Sequence, residues 1–209
     1  MFGAESRRVE HREHLGKPAL VIVAIRSYDT TVEDLWEAIT TPERIARWFG
    51  SVEGELRLGG RYQIKGNAGG SITRCDPPEA VELTWEYMET LSWVTVRLEP
   101  EGRKARLTLE HIAPKEGTGA AAEFFNQFGP AAGGVGWDLW LHSLGRHLAA
   151  PAASLDQEAF DAWTTSTSEG KAFARASGEA WGAADAASGE DPEEARARVE
   201  RTIAFYTGA

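Results

Sequence analysis

A chain of 209 residues can bury a full core without disulfides or a structural metal. Its single cysteine, Cys75, excludes an internal disulfide framework and a multi-cysteine zinc site. With 22 Lys and Arg against 32 Asp and Glu, the net charge of −10 argues against nucleic acid and anionic membrane surfaces as partners, since both need a concentrated positive field.

Residues 7–15 alternate weakly, with Val9, His11, Glu13 and Leu15 on one side, and Gly16-Lys17-Pro18 is a turn signal. Segment 19–27, ALVIVAIRS, is a β-branched apolar run that predicts a strand buried on both faces. The two should form a hairpin. In YDTTVEDLWEAITTPERIARWFG, Thr30 and Glu33 fit a capping box, and Leu35, Trp36 and Ile39 fall at helical spacing. Thr41 then caps a second short helix with Pro42 in its first position. Ile45, Trp48 and Phe49 line that helix and Gly50 ends it.

Residues 53–112 read as an antiparallel meander with one polar and one apolar face. Tyr62 and Ile64 share a side of RYQIK, and Val81, Leu83, Trp85 and Tyr87 share a side of VELTWEY. If Met88-Glu89-Thr90 is the hairpin loop, Tyr87 faces Leu91 and Trp85 faces Trp93. Residues 114–136, rich in Gly and Ala, read as a loop with at most a helical turn. GWDLWLHSLGRHLAAP then gives a helix whose stripe is Trp137, Trp140, Leu141, Leu144 and Leu148. Segment 156–209 holds 14 alanines, and 11 acids against 5 bases. It reads as two or three helices, one starting at Asp191-Pro192, and its aromatics are too many to leave in water.

YDTTVEDLWEAITTPERIARWFG resembles the opening of the START-like SRPBCC superfamily. Within it, the Trp-bearing VELTWEY and the helix GWDLWLHSL are similar to the heat-shock-protein-90 ATPase activator homologues. The resemblance covers about 19–150. It implies an α+β helix-grip fold, a curved antiparallel sheet wrapped around a long C-terminal helix with a deep apolar cavity between them. Outside it lie an N-terminal arm, 1–18, and a small helical appendage, 156–209.

The strongest constellation is aromatic. Trp48, Tyr62, Ile64, Trp85, Tyr87, Trp93, His111, Trp137, Trp140, Leu141 and Leu144 are the expected cavity lining. His111, on the face of Leu107 and Leu109, is either a hydrogen-bonded strand residue or a polar handle in the cavity. Arg74 and Arg97 are solvated rim residues or contacts for a ligand carboxylate. Cys75 has no base near it in sequence and reads as a small buried group. No histidine pair has the spacing of the HExxH zinc motif, so neither a metal nor a cofactor is expected. Gly133-Gly134-Val135-Gly136 lacks the Lys-Ser/Thr of a phosphate loop.

The leading expectation is a protein that binds a small hydrophobic or aromatic ligand, with no catalytic residue assigned. The alternatives are a polyketide cyclase or hydrolase-like enzyme using the same cavity, or a protein-interaction module of the chaperone-activator kind. A homodimer through 156–209 fits the appendage. No apolar run approaches the ~20 residues of a membrane span. The N-terminal stretch 1–16 has no apolar segment of the secretory kind, so a cytoplasmic location is expected.

Overall fold

The computed structural model describes residues 3–87, 89–115, 120–153 and 155–209. Strands β1 (Ser6–His14) and β2 (Lys17–Tyr28) form the expected hairpin, with His14 opposite Lys17. The turn is therefore Leu15-Gly16, one residue before the Gly16-Pro18 signal. Both turn residues have positive φ, 51° and 76°, the geometry that suits a two-residue hairpin to the twist of its strands. Every residue from Ala19 to Ala24 is buried. Leu20, Ile22 and Ala24 join the main core, while Ala19, Val21 and Val23 pack with Ile112 and Trp93 on the opposite face.

Helix α1 (Val32–Thr40) is capped by Thr31, whose hydroxyl accepts from the Asp34 amide. The cap is one residue later than expected, and the Thr30 hydroxyl instead donates to the Asp34 carboxylate. Helix α2 (Pro42–Ile45) has proline at its start, as read, and further turns carry the chain to Phe49. Six strands follow: β3 (Val52–Gly54), β4 (Arg61–Ile64), β5 (Gly69–Asp76), β6 (Ala80–Tyr87), β7 (Thr90–Glu101) and β8 (Lys104–Pro114). The sheet runs β1-β2-β8-β7-β6-β5-β4-β3, with every neighbouring pair antiparallel.

The β6–β7 hairpin corrects the expected register. Tyr87 pairs with Thr90, so the connection is residues 88 and 89, with Glu89 at φ 59°. Met88 lies outside the described residues. Trp85 then faces Ser92, and Trp93 faces Thr84. A slip of one residue sends every β7 side chain to the other face.

Helix α3 (Ala120–Ala149) begins well inside the stretch read as a loop, and is interrupted at Gly129 (φ 61°, ψ −162°) before Pro130. Residues 116–119 of that stretch lie outside the described residues. The Gly133–Gly136 run is helix, and its small residues serve packing. A β-carbon on Gly134 would lie 2.4 Å from two atoms of the Trp181 ring. Across the concave face of the curved sheet, α3 is anchored in part by the Tyr28 hydroxyl donating to the Leu141 carbonyl. This is the helix-grip arrangement, α+β in class.

Helices α4 (Gln157–Ser166), α5 (Ser168–Ala187) and α6 (Pro192–Thr207) start at Asp156, Thr167 and Asp191, each accepting from amides of its first turn. Helices α5 and α6 pack on α3, and α5 also reaches β1. Phe173, Trp181, Val199 and Ile203 are buried, while Phe205 is 56% exposed. At the junction lies Asp138 of α3, 0% exposed. Its carboxylate accepts from the Ala4 amide (3.0 Å), from Arg7 Nε and Nη2 (2.8 and 2.7 Å), from the Ser177 hydroxyl (2.6 Å) and from Trp181 Nε1 (3.2 Å). One side chain thus ties the N-terminal arm, α3 and α5 together. Among the described residues, no helix is long and apolar enough to cross a membrane.

Candidate functional site

Alternation along the strands sends Tyr62, Ile64, Leu83, Trp85, Val94 and Val96 to the concave face. The helical stripe of α3 presents Trp137, Trp140, Leu141 and Leu144 to the same space. The α1–α2 segment closes a third side with Ile39, Ile45, Trp48 and Phe49. One helix cannot fill a curved sheet, and a cavity of about 160 Å³ remains between these three walls.

Of the expected lining, the structure brings together Trp48, Tyr62, Ile64, Trp85, Trp137, Trp140, Leu141 and Leu144. Three expected residues lie elsewhere. The register shift places Trp93 on the convex face, its ring 4.3 Å from that of His14. Tyr87 lies at the hairpin end, 48% exposed. His111 stands behind the aromatic wall and does not line the cavity. Arg74 and Arg97 are also on the convex face. Arg74 pairs there with Asp76 and Glu82, and Arg97 lies 3.9 Å from Glu82 and Glu110.

Phe49 was legible as a helix residue but not as a wall of the cavity. Its ring lies 4.3 Å from Trp140, 5.2 Å from Trp48 and 6.4 Å from both Trp85 and Trp137. The signal was its spacing of four from Ile45, which puts both on one helical side. Val94 and Val96 were hidden by the assumed three-residue loop. Trp140 also meets Phe160 of α4, at 5.1 Å.

The hydrogen bonds around His111 fix its chemistry. Trp137 Nε1 can only donate, and its contact with His111 Nδ1 is 3.0 Å. His111 Nδ1 is therefore the acceptor, which puts the ring proton on Nε2. That proton goes to the Ser92 hydroxyl at 2.8 Å, and Ser92 donates onward to the Trp85 carbonyl at 3.1 Å. The chain stitches α3 to β6 and β7 behind the indoles of Trp85 and Trp137, whose centroids are 5.3 Å apart. Burial pushes His111 down from the ordinary imidazole range to about 4.

The native ring resists a proton that the unfolded chain accepts from about pH 6.5 downward. This contribution to stability is full above that value and is lost as pH falls toward 4. Between pH 7 and 4 the parent should lose up to about 3 kcal/mol more stability than His111→Gln, read from urea unfolding at a series of pH values. Parallel stability curves would refute the assignment.

The described residues hold no cluster of three His, Cys, Asp or Glu placed to bind a metal. Cys75 is a partly buried free thiol in the cavity wall.

Residues 29–149 match the family model described as Activator of Hsp90 ATPase homolog 1-like protein. The crystal structure of CalU16 from Micromonospora echinospora is 31% identical, covering 86% of this chain and 96% of that one with a TM-score of 0.65. Its solution NMR structure gives 30%, 89%, 97% and 0.72. This likeness extends well beyond residues 29–149 and so takes in terminal parts of the chain. EF2215 from Enterococcus faecalis, a conserved protein of unknown function, is 15% identical over 76% of this chain and 85% of its own, with a TM-score of 0.56, and shares the fold. No curated protein matches.

Proposed function

We propose that this chain, which belongs to the Activator of Hsp90 ATPase homolog 1-like family, binds a small hydrophobic or aromatic molecule between its sheet and α3. The observation that carries the reading is the cavity of about 160 Å³ walled by Trp48, Phe49, Tyr62, Trp85, Trp137, Trp140 and mostly aliphatic side chains. An apolar cavity of about 150 Å³ stays dry and takes a benzene-sized guest. Binding is favoured over proton-transfer chemistry because both nitrogens of His111 are committed to Trp137 and Ser92. Family membership is what supports a protein-interaction module as the second reading, since its model carries the chaperone-activator description.

Leu144 is 1% exposed and lines the cavity one turn beyond Trp140 and Leu141. Leu144→Trp should put an indole into the space a guest would occupy. Filling a void leaves stability near the parent's, whereas overpacking a filled core costs about 1–3 kcal/mol. The expected result is a melting temperature within a few degrees of the parent, together with loss of the tryptophan-fluorescence response to small aromatic and aliphatic hydrocarbons. A large drop in melting temperature, with a parent that never responds, would make the aromatic wall plain core and end the binding reading.

A further inference from the structure

We infer that the cavity is selective for uncharged aromatic rings and excludes their carboxylates. The inference rests on the binding reading and narrows it to a chemical class. None of the described residues lining the cavity is charged. The hydroxyl and indole hydrogens of four lining residues are already spent within the protein. Thr40 donates to the Trp36 carbonyl (2.7 Å), Trp48 to Ala38 (2.9 Å), Tyr62 to Thr84 (2.7 Å) and Trp137 to His111 Nδ1 (3.0 Å).

The other polar groups in the wall, the indoles of Trp85 and Trp140 and the Cys75 thiol, offer no cation to a carboxylate. The arginines that could meet a carboxylate, Arg74 and Arg97, are on the other face of the sheet and paired with acids there. A carboxylate entering this space would give up its water for no cation, and buried charges need a partner. The chain's net charge of −10 adds to the disfavour. The aromatic rings in the wall, by contrast, can meet a guest ring edge-to-face or offset-stacked, the geometries in which aromatic pairs gain beyond their area.

Four probes of similar size test this with the full chain at pH 7: toluene, methylcyclohexane, methyl benzoate and benzoate. Each is titrated by tryptophan fluorescence, with Leu144→Trp as the site control. The expected result is that toluene and methyl benzoate bind, that methylcyclohexane binds more weakly, and that benzoate is about a hundredfold weaker than its methyl ester. The ester is larger than the acid, so this order cannot come from size. Benzoate within tenfold of its ester would overturn the exclusion of charge while leaving the cavity a binding site. Methylcyclohexane equal to toluene would overturn the aromatic preference. No response to any of the four would overturn the binding reading itself, and this inference with it.

Discussion

Replacing Asp138 with alanine should cost about 3–5 kcal/mol, a large share of the roughly 5–15 kcal/mol that holds a domain folded. The carboxylate has no solvent exposure and collects hydrogens from Ala4, Arg7, Ser177 and Trp181. Burial raises the carboxyl above its ordinary range, and the Arg7 guanidinium with the Ser177 and Ala4 donors opposes that rise. Removing the acceptor strands all four partners at once, including the guanidinium of Arg7. Ser177→Ala takes away one donor and leaves the rest in place, so it should cost about 1 kcal/mol. Urea unfolding followed by tryptophan fluorescence separates the two. An Asp138→Ala variant within 1 kcal/mol of the parent would show that the arm and α5 are held by apolar contact alone.

The second large effect has the opposite sign from what local propensity says. Gly134 sits inside α3, where alanine is ordinarily better than glycine by about 1 kcal/mol. Here the added methyl would meet three atoms of the Trp181 ring at 2.4–2.6 Å, and that indole is fully buried and hydrogen-bonded to Asp138. The ring has nowhere to go, so α5 must move off α3. We expect Gly134→Ala to lower stability by about 1–3 kcal/mol, the usual cost of overpacking. It should also speed amide exchange along α5 and leave that of β6 and β7 near the parent's. A more stable variant would show that the helices separate freely.

The same contact explains why the start of α3 was not legible. Gly133, Gly134 and Gly136 carry low helix propensity, and a window over 114–136 therefore reads as loop. The reason for small residues there is Trp181, 47 positions further on, and no local pattern reveals such a partner. The strands were legible because burial on one face enforces alternation, and the family resemblance added the helix-grip arrangement. The α3 wall of the cavity was legible from spacing alone. The β7 wall was not. Whether Trp93 or Val94 faces inward depends on one residue of loop, and Thr90 closes the ladder with Tyr87 instead of extending the turn. Thr30 and Thr31 show the same limit on a smaller scale. Either hydroxyl can cap a helix, yet the Thr31 oxygen takes the Asp34 amide while the Thr30 hydroxyl donates to the same residue's carboxylate.

An open sheet ends in two rows of backbone groups that have no strand beside them, and such rows invite pairing between molecules. In the order β1 to β3 both rows are guarded. At one end β3 has only three residues, too few to template a partner. At the other, β1 carries Arg8, Glu10 and Arg12, which engage each other and Glu110 of β8 over the convex face. A neighbouring chain adding to β1 would have to lie beside this charged row. The buried, β-branched β2, the segment best suited to cross-β stacking, is kept one strand in from the edge. The hairpin that opens the chain therefore also protects it from aggregation.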